Sequence, residues 1–270
     1  MLGAGAMGTV YEAFDRDHGK RVAIKALHAL GPEALLLFKN EFRAVQHLRH
    51  PNLVALGELF EERGRWFFSM EFVDGVGFLE HVRPGLTGGH TRVDIDRLRS
   101  ALTHVARGLS ALHAGERVHR DIKPSNVIVQ RGGRTVILDF GVVRDLGRRG
   151  ALVEDDFAGT IAYMAPEQAL LENVGPAADW YAVGVVLFQA LTGRLPFEGG
   201  GNDILSAKTT RSAPSPRELV PDAPPDLADL CEGLLRLEPR ERPSGNEVLA
   251  RLGDQPAAGA SEAASSSGSV

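Results

Sequence analysis

His119-Arg120-Asp121-Ile122-Lys123-Pro124-Ser125-Asn126, followed by Asp139-Phe140-Gly141, is the stretch around which the chain is organised. Two short apolar runs, Val127 to Gln130 and Val136 to Leu138, lie between these motifs and read as strands that leave the polar residues on flanking turns. A carboxylate able to take a hydroxyl proton, with a second carboxylate and an amide suited to Mg²⁺, is the set that phosphoryl transfer requires. This stretch supplies two carboxylates, Asp121 and Asp139, an amide, Asn126, and a lysine, Lys123.

Composition sets the outer bounds. At 270 residues with 43% apolar content, the chain can bury a large core as one unit or as two lobes sharing a cleft. A formal charge of -5, with no basic run, argues against a nucleic-acid binder held by counterion release. The single cysteine, Cys231, excludes an internal disulfide framework and sits in an apolar helical stretch, where an inert core thiol is expected. Neither a signal segment nor a run of 18 apolar residues is present, so a soluble, cytoplasmic chain without a membrane segment is expected.

Along the chain, residues 1 to 27 read as strand, Gly loop and strand, with a polar hairpin connection at Asp15 to Lys20. Leu36, Phe38, Phe42, Val45 and Leu48 predict a helix over 33 to 48, placed roughly on one face. Strands are expected at Leu53 to Leu59 and Trp66 to Phe72, around the turn Glu61 to Arg65. After Val73-Asp74-Gly75 the pattern changes from strands to helices. A long amphipathic helix is predicted over 94 to 114 and a helix apolar nearly all round over 179 to 192, the latter belonging inside a lobe. Further helices are expected near 202 to 209, 226 to 236 and 244 to 252, and a disordered Ala/Ser/Gly-rich tail from 253 to 270.

Gly3, Gly5 and Gly8, followed by Val10, fit a G-x-G-x-x-G turn whose backbone can approach phosphates, a weak signal alone. Lys25, closing Val22-Ala23-Ile24-Lys25 on the next strand, strengthens it. With the His119 to Asn126 and Asp139-Phe140-Gly141 motifs, these residues make the chain resemble the bacterial, eukaryotic-like (Hanks-type) serine/threonine protein kinases. The resemblance spans residues 1 to about 252 and implies an α+β fold: a small antiparallel sheet with one helix over residues 1–73, a hinge at 71–75, and a mainly helical lobe over 76–252.

The resemblance also implies roles. Asp121 would orient or accept the substrate hydroxyl proton, Lys123 would contact the γ-phosphate, and Asn126 and Asp139 would hold Mg²⁺ or Mn²⁺. Lys25 would contact the α- and β-phosphates of ATP and pair with a Glu on the following helix, where Glu33 and Glu41 are both available and the family spacing to His50 favours Glu41. Met70, Glu71 and Val73 would edge the adenine, and Val10, Ala23 and Ile128 would sandwich it. His119 would be a core residue, stacked with Val45, Leu56 and Phe140 and backed by Asp179. Gly159 to Glu167 would dock protein substrates bearing Ser/Thr acceptors, with Thr160 bonded to the catalytic Asp and Lys and Glu167 in a buried pair with Arg242. Arg120 usually faces an activation-loop phosphate in such kinases; residues 142 to 158 contain no Ser, Thr or Tyr, and Glu154, Asp155 or Asp156 is expected to take the phosphate's place.

The family's first strand is mostly missing ahead of Gly3, which predicts weaker nucleotide binding or stability. Two other readings stay open: a pseudokinase-like regulatory or scaffold module, and a small-molecule phosphotransferase, which the docking segment disfavours.

Overall fold

The computed structural model describes residues 1–5, 8–85, 92–139, 161–170 and 172–254. Strands β1 (Gly3–Gly5), β2 (Gly8–Asp15), β3 (Lys20–Leu27), β4 (Leu56–Glu62) and β5 (Arg65–Glu71) form an antiparallel sheet in the order β1-β2-β3-β5-β4. Alternation along β3 places Ala23 and Lys25 on one face. Helix α1 (Pro32–Gln46) packs on the sheet through Phe38, Phe42 and Val45. Phe38, Phe42 and Phe68 form a ring cluster with centroids 5.4 to 6.0 Å apart. Leu36 does not join this face: it is 60% exposed, because two residues before Phe38 a helix points almost the opposite way.

The larger lobe carries α2 (Phe78–Val82), α3 (Ile95–Ala114), α4 (Pro166–Ala169), α5 (Pro176–Thr192), α6 (Gly201–Thr210), α7 (Pro216–Leu219), α8 (Pro225–Leu234) and α9 (Gly245–Arg251). Asp94 caps α3 by accepting from the Arg97 amide at 3.0 Å, and Leu98, Leu102, Val105, Leu109 and Leu112 turn its apolar face inward. The expected core helix is α5, with Ala178 to Phe188 buried without interruption. Cys231 on α8 lies against the Gly184 carbonyl, and burial pushes its thiol pKa well up, as befits an inert core group.

A second sheet, β6 (Gly75–Gly77), β7 (Val127–Gln130) and β8 (Thr135–Ile137), sits where the lobes meet. Residues 50 to 54, ahead of β4, are tied to it: Leu53 forms a parallel bridge with Ile137, and Asn52 Nδ2 donates to the Thr135 carbonyl at 2.9 Å. From the β7–β8 turn, Arg134 donates to both carboxylate oxygens of Glu71 and to the Pro51 carbonyl, at 2.6 Å for the last. The end of β5 is thereby clamped before the chain crosses to β6.

The tail expectation needs one correction. Asp254 is held by Arg107 through two hydrogen bonds, at 2.8 and 2.6 Å, so ordered structure runs through it, and residues 255–270 lie outside the described ones. A bidentate guanidinium–carboxylate pair is reason enough for a residue that sequence composition assigned to a tail.

Glu167 and Arg242 form the expected buried pair, at 2.6 and 2.8 Å, and Arg242 also donates to the carbonyls of Arg236, Leu237 and Ala177. Removing the guanidinium strands a buried carboxylate, so Arg242→Met should cost about 3–5 kcal/mol by denaturant titration, with the double variant Glu167→Met/Arg242→Met recovering part of that loss. A cost for Arg242→Met below 1 kcal/mol, on the order of an exposed pair, would refute the buried-pair account.

Candidate active site

Five candidate functional side chains come together near the junction of the two lobes. Lys25 Nζ, on β3 and nearly buried, lies 2.7 Å from Asp139 Oδ1, which follows β8. Asp121 sits on the loop before β7, with Lys123 Nζ 3.3 Å from its Oδ2. Asn126 Nδ2 donates to both the Asp121 carbonyl and Asp121 Oδ2, at 2.8 and 3.0 Å. That orientation commits the amide nitrogen and leaves Oδ1 as the atom Asn126 can offer a cation.

Backbone geometry explains how so many polar groups are brought together. Arg120 and Asp139 both adopt positive φ, 64° and 45°, which non-glycine residues adopt only when their surroundings hold them there. For Arg120 the holding group is Asp179 on α5: its carboxylate accepts from the His119 and Arg120 amides at 2.8 and 2.7 Å. His113, at the end of α3, meets the same carboxylate at 2.8 Å. Both His119 ring nitrogens are used, Nδ1 by the Asp121 amide at 3.2 Å and Nε2 by the Leu138 carbonyl at 2.8 Å. The ring is therefore a core strut between the Asp121 loop and the strand leading to Asp139, and not a metal ligand. Val45, Leu56 and His119 are all buried, while Phe140, the remaining member of the expected stack, lies outside the described residues.

The expected partner of Lys25 is not the one it has. Glu41 lies 3.5 Å from Arg117 and is about half exposed, whereas Lys25 is taken by Asp139. The reason is local: Arg117 offers the α1 carboxylate a cation from the large lobe, and Asp139 stands closer to Lys25. Glu71, expected beside the adenine through its backbone, has its side chain committed to Arg134. Met70 is buried opposite Ala23, Val73 is buried at the crossing between lobes, and Ile128 faces away from the buried Val127 and Val129. Val10 is opposite Lys25 on β2.

The glycines divide by role. A Cβ on Gly8 would come within 2.1 Å of the Ala26 carbonyl oxygen, so Gly8 is required by the packing of β2 on β3. Gly3 and Gly5 pair with Val10 and Gly8 on β2, and among the described residues nothing lies within 4 Å of such a Cβ. Glu154, Asp155, Asp156 and Thr160 lie outside the described residues. Gln168 on α4, which the sequence did not single out, donates to the Arg120 carbonyl at 3.2 Å and so ties α4 to the Asp121 loop. Arg117 and Arg134 were likewise missed, since a charge on a polar turn carries no sign of its partner.

An oxygen-rich pair made of one carboxylate and one amide suits a hard divalent cation. Among the described residues no three His, Cys, Asp or Glu side chains converge as a closed metal cage, so a cation bound by Asn126 and Asp139 would complete its shell with phosphate oxygens and water. The arrangement brings a lysine from the sheet lobe together with a carboxylate beside an acid–lysine–amide set from the helical lobe.

Residues 1–252 match the protein kinase domain, and the chain belongs to that family. It is 33% identical over 250 residues to serine/threonine-protein kinase PknA of Mycobacterium tuberculosis, covering 90% of this chain and 56% of that protein. It is 36% identical over 253 residues to serine/threonine-protein kinase Pkn1 of Myxococcus xanthus, covering 89% of this chain and 35% of that protein. The chain thus spans about half or less of these curated relatives. In fold it is similar to the M. tuberculosis PknI kinase domain, with a TM-score of 0.72 at 23% identity over 95% of this chain and 94% of that one. The twitchin kinase region of C. elegans gives a TM-score of 0.75 at 25% identity, over 94% of this chain and 44% of that one. The α+β, two-lobed architecture is accordingly that of a protein kinase domain.

The glycine geometry gives a paired test. Gly8→Ala forces the β2 backbone off β3 and should lower stability by about 1–3 kcal/mol, while Gly5→Ala should stay within about 0.5 kcal/mol in thermal melts. Equal melting of the two variants would contradict this division.

Proposed function

We propose that the cleft transfers the γ-phosphoryl group of ATP to Ser or Thr hydroxyls of proteins, as part of bacterial signalling. The observation that carries this reading is the convergence of Lys25 from β3 with Asp139, beside the Asp121–Lys123–Asn126 set. Asp121 takes or orients the hydroxyl proton as the hydroxyl oxygen attacks the γ-phosphorus and ADP departs; Lys123 offsets charge on the moving phosphoryl group. Lys25 engages the α- and β-phosphates, leaving Asp139 to turn with Asn126 toward a divalent cation. Mg²⁺ is the ion this hard oxygen set favours, with Mn²⁺ as a substitute, and it would neutralise the triphosphate when bound. Met70, Glu71 and Val73 edge the adenine, between Val10 and Ala23 above and Ile128 below.

Glu41 fits the same scheme as the group that replaces Asp139 on Lys25 once the cation draws Asp139 away, an exchange that requires it to leave Arg117. Among the described residues no helix is long and apolar enough to cross a membrane. We place the catalytic chain in the cytoplasm, where ATP is supplied.

Phosphate incorporation from radiolabelled ATP into a generic basic protein tests this reading. Asp121→Asn should lower turnover by roughly 10²- to 10⁴-fold with nucleotide affinity retained, and chelation of divalent ions should abolish transfer. Wild-type chain that binds ATP and transfers nothing would favour the regulatory-scaffold alternative.

A further inference from the structure

Lys208 on α6 is completely shielded from solvent, the most unusual position for a lysine in this chain. Its Nζ is within hydrogen-bond distance of three backbone carbonyls, Ile161 at 2.7 Å, Ala162 at 3.0 Å and Met164 at 2.6 Å. An ammonium has three N–H donors and no acceptor, so its donors and these oxygens match in number. The ring of Tyr181 on α5 lies 5.6 Å away on another side. A charge this deep is tolerated because every proton it carries has a partner.

The residues it holds belong to the segment assigned above to protein-substrate docking. That segment is held by other ties as well, apolar and polar. Ile161 packs in a cluster separate from the main core, with Phe197, Ile204 and Ala207. Tyr163 Oη donates to Gln189 Oε1 at 2.6 Å, and the Ala165 amide donates to Gln168 Oε1 at 3.0 Å. Gln168 in turn donates to the Arg120 carbonyl, next to Asp121. The backbone from 161 to 164 therefore sits between the α6 lysine on one side and the Asp121 loop on the other.

We propose that Lys208 is a positioning residue for the protein substrate: its ammonium gathers the 161–164 carbonyls into the one backbone path that presents an acceptor-bearing peptide to Asp121, without contact to ATP. This rests on the kinase reading of the cleft. A neutral amine has only two N–H groups and turns a lone pair toward the third carbonyl, so deprotonation loosens the segment. Burial pushes the Lys208 pKa down to about 7, while the three carbonyls favour the charged form. Of the neighbouring groups, Tyr181 and Tyr163 have their phenols pushed upward by burial, and the Glu167–Arg242 pair lies beyond the Tyr181 ring, 4.9 Å from it. Rising pH is thus expected to weaken substrate engagement through Lys208.

Bisubstrate kinetics on Lys208→Met and Lys208→Gln, with a Ser-containing peptide, test the proposal. The KM for peptide should rise about tenfold in Lys208→Met and less in Lys208→Gln, whose amide restores two donors, while the KM for ATP moves less than about twofold. In the wild type, kcat/KM for peptide should fall as the pH rises above about 7, and that fall should be absent from Lys208→Met. Hydrogen exchange should accelerate at residues 161 to 165 in both variants and leave α5 amides protected. An unchanged peptide KM, or equal losses toward peptide and ATP, would overturn the proposal. If the wild type transfers no phosphate, the kinase reading fails instead, and exchange still decides whether Lys208 holds the segment; should Lys208→Met not fold, Lys208→Gln carries every arm.

Discussion

Two peptide N–H groups on one buried carboxylate hold the site together. Asp179, on the innermost helix, accepts from the His119 and Arg120 amides, and His113 closes its far side. Without that anchor, Arg120 would have no reason to keep a φ of 64°, and the turn that aims Asp121 would relax toward common backbone. The strain is supported by the largest body of apolar packing available, since α5 is buried along nearly its whole length. Catalytic geometry is thereby referred to the part of the fold least able to move.

The same helix reaches the substrate side. Tyr181 lies under both Lys208 and Arg242, and Gln189 receives the Tyr163 hydroxyl. Around this helix the 161–170 stretch is fixed by polar contacts as well as by apolar burial: three carbonyls on Lys208, a carboxylate on Arg242, an amide on the Arg120 carbonyl. Polar fixation is directional, so it specifies one backbone path where a greasy contact would tolerate several. It also exposes that path to protonation state, which apolar packing would not.

Most of the fold was legible in the sequence because its signals are periodic. Phe38, Phe42 and Val45 repeat at helical spacing, Leu98 to Leu112 do so over about four turns, and Trp180 to Phe188 is apolar enough to be nothing but interior. Short elements escaped: β6 has two glycines and a valine, and α4 and α7 are single turns opened by Pro166 and Pro216. The local motifs also located the acid, amide and lysine at the cleft. What they could not supply was partnership across long sequence distance. Glu41 with Arg117, and Glu71 with Arg134, depend on where a turn from the other lobe comes to rest, and no residue pattern records that. Lys208 did leave a trace, being four residues after Ile204 and so on the same inward face of α6.

The Lys25–Asp139 pair gives the cleft its direction of response. At 2.7 Å the upper lysine and lower carboxylate neutralise each other across the lobe boundary. Lys25 would take phosphate oxygens, and Asp139 a divalent cation, from the metal-bound triphosphate proposed for this cleft. On the proposed reading, binding would exchange one ion pair for two and leave the buried Lys25 able to take a second acid. Glu41 reaches it only by giving up Arg117, at the foot of α3 in the other lobe. Because Glu41 rides on α1, whose Phe38 and Phe42 pack on Phe68, that exchange moves a helix and its aromatic cluster along with the side chain. On the proposed reading, nucleotide binding and the setting of the small lobe would form one equilibrium, with the Glu41–Arg117 ion pair of modest strength as the counterweight.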